Sequence, residues 1–466
     1  MITARIVALA VAAVALATAC TGGSGAGSAR IGSARIGTAN SLGASVTGPG
    51  GSTAPAVALT TVHLVVPKSE DAAPFNKPRT LQMPRGWTAR VWARVPDARM
   101  EAWTPRGDLL VSQPSLGKIE MLIPDRSGTA RTRTLLRGLT EPQGMAFAKV
   151  AGHWVLYVAE SDKIDSYPWG SHGIDGARTV IVSHLPDTDP SGNDVHRTKD
   201  LVVTRNGTIY FEVGSSSNAS PDDLTMNPPR AVIMSVRPDG THLTVVERGV
   251  RNGEGLALAP DGVVWTAINN RDNIPYPFHR SYGGHRDAFG MVIQSYVNNH
   301  PPDEVVPVVA GRNLGWPYCN PDQDENHPAG SLANIPFVAD ALTNPGGKRL
   351  DCAKLPPLTV GLPAHSAPLG MSFLDGTGIP APWSGGAAVA AHGSWNRVPP
   401  RAPAVLWLAW NSRQRTLEPA ITLVSGFQLA NGSRWGRPVD VVPGPGKALY
   451  VSDDTAGAIY RLVPAS

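Results

Sequence analysis

Several things are scarce in this 466-residue chain, and each scarcity closes a route. Charged residues make up only 17%, the net charge is +4, and no basic run of nucleic-acid type occurs, which excludes a polyanion partner. No Gly-x-Gly-x-x-Gly opens a βαβ unit, so a Rossmann-type nicotinamide or flavin site is unsupported. There are three cysteines and no Cys or His cluster of the structural-zinc kind. Ser366, close to His365 and His392, invites a hydrolase reading, but the Gly-x-Ser-x-Gly elbow that would support it is missing. The apolar run after Arg5 is too short to cross a bilayer, and no amphipathic helix of normal length interrupts the chain.

Turn formers are abundant instead. With 49 Gly, 43 Pro and 12 Trp, the composition points to short strands and many turns. One unit recurs: polar residues, a short alternating strand, a Gly-containing turn and a second apolar strand. Its clearest copy is RNGEGLALAPDG (251–262) followed by VVWTAINNRDN, where Asp261 and Gly262 supply the reversal. Other copies begin near residues 100, 141, 196, 365 and 436. Six copies of about four strands each predict an all-β, six-bladed β-propeller over 61–466, with a long insertion at about 271–360.

The N-terminus predicts export. Residues 1–20 have the shape of a signal peptide, and Ala17-Thr18-Ala19-Cys20 resembles a bacterial lipobox that would make Cys20 a lipidated N-terminus. Residues 21–60, almost wholly Gly, Ser, Ala and Thr, predict a flexible tether. This places the protein in the cell envelope, on the outer face of the cytoplasmic membrane or in the periplasm, touching the membrane through its anchor alone. Cys319 and Cys352 then remain as an even pair in an oxidising compartment, and a disulfide between them is expected.

Aligning the repeats places Gln143, Lys199, Glu254, Leu369 and Val439 at one position, with His196, Arg251, Asn252, Ser366 and Arg437 shortly before it. In a propeller these residues converge on one mouth of the central channel, a usual place for ligands. His196 is the candidate general base, because imidazole titrates near neutral pH. Arg251 and Arg437 suit carboxylates or a carbonyl gaining negative charge. Asn269, Asn270 and Asp272 carry calcium-type oxygens, although a turn explains them equally well. Trp395 could stack on a planar ligand or pack between blades.

Together these motifs carry a resemblance. His196…Leu201, Arg251-Asn252…Leu256, Gly311–Pro317, His365–Gly370, His392–Arg397 and Gly436…Asp454 look like the soluble quinoprotein sugar dehydrogenases, nearest the sorbosone dehydrogenase branch. The resemblance implies pyrroloquinoline quinone (PQQ) over the channel, bridged to the protein by calcium. It also implies a sugar or sugar-derived aldehyde as substrate and an external electron acceptor. By it, His196 removes the hydroxyl proton and Arg251 steadies charge on the quinone oxygen. Asn252, Glu254, Ser366, Trp395, Asn396, Arg397 and Arg437 would then contact the cofactor. The chain departs from the pattern at Glu254, where glutamine is usual, at Val439, where a second arginine is usual, and in lacking a lysine in His392–Arg397. Two other readings stand beside it: a calcium-dependent propeller lactonase or esterase, and a non-catalytic propeller that binds a sugar or a protein.

Overall fold

The computed structural model describes residues 57–188, 196–324, 328 and 331–465. The signal peptide, Cys20 and nearly all of the tether fall outside the described residues. The tether's expected end at 60 overlaps the first strand, Leu59–Val65.

Among the described residues six blade sheets follow one another along the chain, antiparallel except where Leu59–Val65 pairs in parallel with Thr88–Arg94, and a small two-stranded sheet of Cys319–Pro321 with Phe337–Ala339 lies apart from them. Blade 1 is built from Glu101–Trp103, Leu109–Gln113, Lys118–Pro124 and Ala130–Arg137. Blade 2 runs from Met145–Val150 to Thr179–Val182, and blade 3 from Leu201–Val203 to Thr244–Arg248. Blade 4 opens with Ala257–Leu258 and Val264–Ile268, and blade 5 runs from Pro368–Phe373 to Ile421–Val424. Blade 6 takes Pro438–Gly444, Ala448–Asp453 and Ala458–Val463 from the C-terminus and Thr88–Arg94 from the N-terminus. That shared blade joins strands from the two ends of the chain in one sheet and so closes the ring. The fold is the expected six-bladed β-propeller.

The first strand of each blade touches the first strand of the next, all the way round. Each blade-to-blade seam has its own apolar cluster. Leu110 and Leu156 join blades 1 and 2, Tyr157 and Phe211 join 2 and 3, and Ile233 and Val264 join 3 and 4. Trp265 and Val389 join 4 and 5, Trp407 and Leu449 join 5 and 6, and Leu109 and Tyr450 join 6 and 1. Strands buried on both faces explain why the apolar runs of the sequence do not alternate cleanly.

The inner ring is stitched by aspartates. Asp440 accepts from Val441 N at 2.8 Å and, across the seam, from Glu101 N at 2.9 Å. Asp200 does the same for Leu201 N at 2.8 Å and Leu256 N at 3.0 Å. The alternative at this position is glycine, since a Cβ on Gly370 would lie 2.0 Å from Asp440 Oδ1. Asp200, Asp440, Gly144 and Gly370 therefore share one register. The residues just before them, Lys199, Val439, Gln143 and Leu369, occupy equivalent places, as the repeat alignment expected.

The stretch 271–360 is not one insertion. Asp303–Pro307 pairs with Val264–Ile268 as the third strand of blade 4, and Leu358–Leu362 follows as the fourth. They separate two excursions, 269–302 and 308–357. The second is closed by the Cys319–Cys352 disulfide, with Cα atoms 5.7 Å apart. The single α-helix among the described residues, Gln294–Val297, lies in the first. No described helix is long and apolar enough to cross a membrane.

Candidate functional site

His196 opens blade 3 beside the axis. Its Nδ1 lies 3.0 Å from the Ser215 carbonyl and 2.9 Å from Ser215 Oγ, whose own hydrogen goes to Ser217 O at 2.8 Å, so both oxygens accept and Nδ1 carries the hydrogen. That tautomer puts the basic lone pair on Nε2. Burial, and next the Arg251 charge, pushes the His196 pKa well below the usual imidazole value. His196 is therefore neutral at pH 7 and able to accept a proton. A Cβ at Gly214 would meet both His196 Cβ at 2.7 Å and Asn252 Oδ1 at 2.9 Å. This glycine thus allows base and amide to sit against one backbone.

Arg251 is only 3% exposed and its donors are committed. They go to Asn218 O, Asn218 Oδ1, Asn269 O and Asp272 Oδ2 at 3.1–3.3 Å. The pairing leaves the three expected cation ligands unsuited to calcium. Asp272 is neutralised by Arg251, and Asn270 Oδ1 accepts from Arg271 N at 2.9 Å while its Nδ2 donates to Pro302 O and Glu304 Oε1 at 3.2 and 2.9 Å. The Asn269 carbonyl already accepts from Arg251. Among the described residues no three or more His, Cys, Asp or Glu side chains are grouped to hold a metal ion. The reading of these residues as a turn is the one their contacts favour, because each is consumed by local polar bonds.

Glu254 faces across the channel. Arg99 of blade 1 pairs with its Oε2 at 3.1 Å, Gln143 of blade 2 donates to the same oxygen at 3.0 Å, and Asn252 donates to Oε1 at 3.2 Å. Arg99 reaches on to Asp454 at 3.2 Å, and Asp454 meets His392 Nε2 at 3.0 Å. Although burial opposes it, His392 and Arg99 hold Asp454 far below the usual carboxylate range. An acidic residue at position 254 is thus offset by an arginine 155 positions earlier in the chain, which no local motif reveals. Glu254→Gln should leave Arg99 short of a buried counter-charge and cost about 1.5–3 kcal/mol, read as a lowered unfolding midpoint. An unchanged midpoint would show the cross-channel pair to be energetically idle.

Between blades 5 and 6 the charge balance shifts. Arg397, Arg401, Arg434 and Arg437 gather around the 392–401 loop and bond to carbonyls rather than carboxylates. Arg437 donates to His392 O at 2.9 Å and Gly393 O at 3.2 Å. Arg434 bonds to Ser394 O and Arg401 O, Arg401 to Ala364 O, and Arg397 to Asn298 O. None forms an ion pair with a described carboxylate. Burial, then Arg397, pushes the Arg401 pKa down to about 10, so it stays charged at neutral pH. Within this crescent, Asn396 is 8% exposed with both amide atoms unpartnered, and Asn252 Oδ1 is likewise without a partner. Trp395 is 70% exposed. Ser366 donates to Pro363 O at 2.6 Å and to no histidine, so nothing activates it as a nucleophile.

A family profile described as TrAA12-like matches residues 81–465. The chain belongs to the TrAA12-like family. Among solved structures, this TrAA12-like chain is similar to the holo form of the pyranose dehydrogenase PQQ domain from Coprinopsis cinerea. That match has 20% identity, covers 86% of this chain and 98% of that one, and has a TM-score of 0.66. The Trichoderma reesei carbohydrate-active enzyme of family AA12 aligns at 18% identity, with 82% and 97% coverage and a TM-score of 0.65. The apo form of the soluble aldose sugar dehydrogenase from Escherichia coli gives 14%, 81% and 99%, and 0.53. At these identities the likeness is one of fold. A curated relative of Borreliella burgdorferi, described as an uncharacterized protein, is 27% identical over 265 residues. The match spans 56% of this chain and 58% of that protein.

The structure brings His196, Arg251, Asn252 and Glu254 together and sets Arg437, Trp395, Asn396 and Arg397 around the adjoining loop. Sequence reasoning missed Arg99, Arg401, Arg434, Asp454 and Asn218. Arg99 was within reach, since it immediately precedes the first repeat, MEAW. Arg401 and Arg434 lie outside the repeated unit.

Proposed function

We propose that this TrAA12-like protein is an exported, lipid-tethered quinoprotein dehydrogenase that oxidises a sugar or sugar-derived aldehyde to a lactone or acid. The observation that carries this reading is the crescent of four arginines, none ion-paired to a described carboxylate, at the seam of blades 5 and 6 in a ring whose blade 3 carries the neutral His196. Like charges held together in a half-buried site favour an anion, and a planar tricarboxylate such as PQQ matches guanidinium geometry. Arg434 and Arg437 would hold its carboxylates, the Asn396 and Asn252 amides would supply directional polar contacts, and Trp395 would offer an aromatic face. When bound, the quinone supplies the hydride acceptor.

The chain's own part is proton removal and placement. His196 Nε2 takes the hydroxyl proton, and the Ser215 carbonyl fixes the tautomer and stabilises the imidazolium that forms. Arg251, locked by Asn218 and Asp272, presents a fixed positive field toward His196. Glu254 is neutralised by Arg99 and does not repel the cofactor as a bare carboxylate would. No step here is routed through calcium, because Asn269, Asn270 and Asp272 do not fit it.

The purified protein, supplied with PQQ with and without calcium, is assayed for dye reduction against a panel of aldoses and aldehydes. Quinone-dependent reduction is expected. Lactone hydrolysis without quinone would favour the hydrolase reading, and neither activity would favour a binding module.

A further inference from the structure

The 269–302 excursion of blade 4 reaches over and grips blade 5. Asn298, the residue that ends the Gln294–Val297 helix, does most of this. Its Oδ1 accepts from Val398 N at 2.9 Å and its Nδ2 donates to Val398 O at 2.7 Å, imitating one rung of a β-ladder with a side chain. Its backbone carbonyl accepts from Arg397 Nε at 3.0 Å. One helical turn earlier, Gln294 Nε2 donates to Asn396 O at 3.0 Å and to Asn298 Oδ1 at 2.8 Å. From the same turn, the Val297 carbonyl accepts from His365 Nε2 at 2.6 Å. Every residue of the loop from Asn396 to Val398 is therefore held by this short segment.

The brace has a firm footing. Tyr296 is 3% exposed and packs edge-on against Tyr276, with ring centroids 5.0 Å apart. His300 stacks on its other side at 4.0 Å, and Tyr276 stacks on Tyr282 at 4.5 Å. A four-residue helix has little stability of its own, so this aromatic cluster is what keeps it folded. The loop it holds, by contrast, carries Trp395 at 70% exposure beside the buried, unpartnered Asn396 amide. An exposed indole can serve as a binding wall only where its backbone is fixed, and no apolar packing fixes it here.

We propose that Asn298 is a positioning residue for substrate binding: by clamping Val398 and Arg397 it sets the place of Trp395 and Asn396 as the outer wall of the site. The inference rests on the dehydrogenase reading for its kinetic consequence. The clamp acts on Arg397 and Val398 and not on the Ser215 carbonyl that orients His196, so it governs how well the sugar is held and not the proton transfer. A clamp of two neutral hydrogen bonds, each worth about 0.7 kcal/mol, corresponds to roughly a tenfold effect on affinity.

The test compares wild type, Asn298→Ala, Gln294→Ala and the double variant. In the loaded enzyme with D-glucose and D-xylose, Asn298→Ala is expected to raise KM about tenfold with kcat within about twofold. Gln294→Ala should have a smaller effect in the same direction, and the pair should be non-additive because they share one loop. Amide exchange of Val398 should accelerate in Asn298→Ala while exchange in the blade strands stays unchanged. An unchanged KM with active wild type overturns the proposal, as does an equal fall in kcat for both sugars. If wild type oxidises neither sugar, the dehydrogenase reading fails separately. The positioning role is then decided by Val398 exchange and by Trp395 fluorescence, measured as the difference from a Trp395→Phe background. Unchanged exchange and unchanged emission in Asn298→Ala would end it.

Discussion

Replacing His196 by alanine is expected to lower kcat by about 10²- to 10⁴-fold while PQQ still binds. The size follows from the role: a general base within hydrogen-bond reach of a hydroxyl supplies that range, and the proposed cofactor contacts come from other side chains. The pH profile gives an independent check. His196 works as the neutral form, and its pKa is held well below the usual 6.5 or so by burial and Arg251. The acid limb of kcat/KM should accordingly lie below pH ~6.5. The sign for stability is the same. The unfolded chain binds the proton more readily, so the stability contributed by this site is present above the unfolded pKa and falls as pH drops below it. A His196→Ala enzyme with unchanged kcat, or an acid limb above the ordinary histidine value, would place the base elsewhere.

The second large effect belongs to Arg434 and Arg437. Both secure the 392–401 loop through its carbonyls, and neither forms an ion pair with a described carboxylate. The double replacement Arg434→Met with Arg437→Met keeps much of the apolar stem and removes two charges. A charge-assisted hydrogen bond is worth about 1.5–3 kcal/mol, so loss of both should weaken PQQ binding at least about 10²-fold. Wild-type affinity should fall with added salt, and the double variant should be less sensitive. Calorimetric titration reads both quantities. Equal affinity in the two proteins would remove the crescent from the binding site.

The fold was legible because a propeller repeats itself. Turn residues recur along the chain and a Gly or Asp holds the register position in five blades, Met100 standing there in blade 1, because the physical demand behind them, a crowded inner ring, is local. His196, Arg251 and Asn252 were legible for the same reason, since they precede that register position. What stayed hidden was pairing across the ring. Nothing near Glu254 announces that Arg99, 155 positions earlier, neutralises it at 3.1 Å. The split of 271–360 by the strand Asp303–Pro307 was equally hidden, because a five-residue strand inside a long polar stretch has no repeat to be compared with. The choice of calcium ligands could not be made from sequence: Asn and Asp oxygens look alike whether they face a cation or, as Asn270 Oδ1 with Arg271 N and Asp272 Oδ2 with Arg251 do, an internal donor.

The most direct test of the account is a titration of PQQ into the purified protein, followed by calorimetry at low and high salt and without substrate. The account predicts saturable binding of one PQQ per chain that weakens with salt and is lost or much reduced in the Arg434→Met, Arg437→Met protein. Absence of binding to the wild type, or binding indifferent to both salt and these arginines, would contradict it.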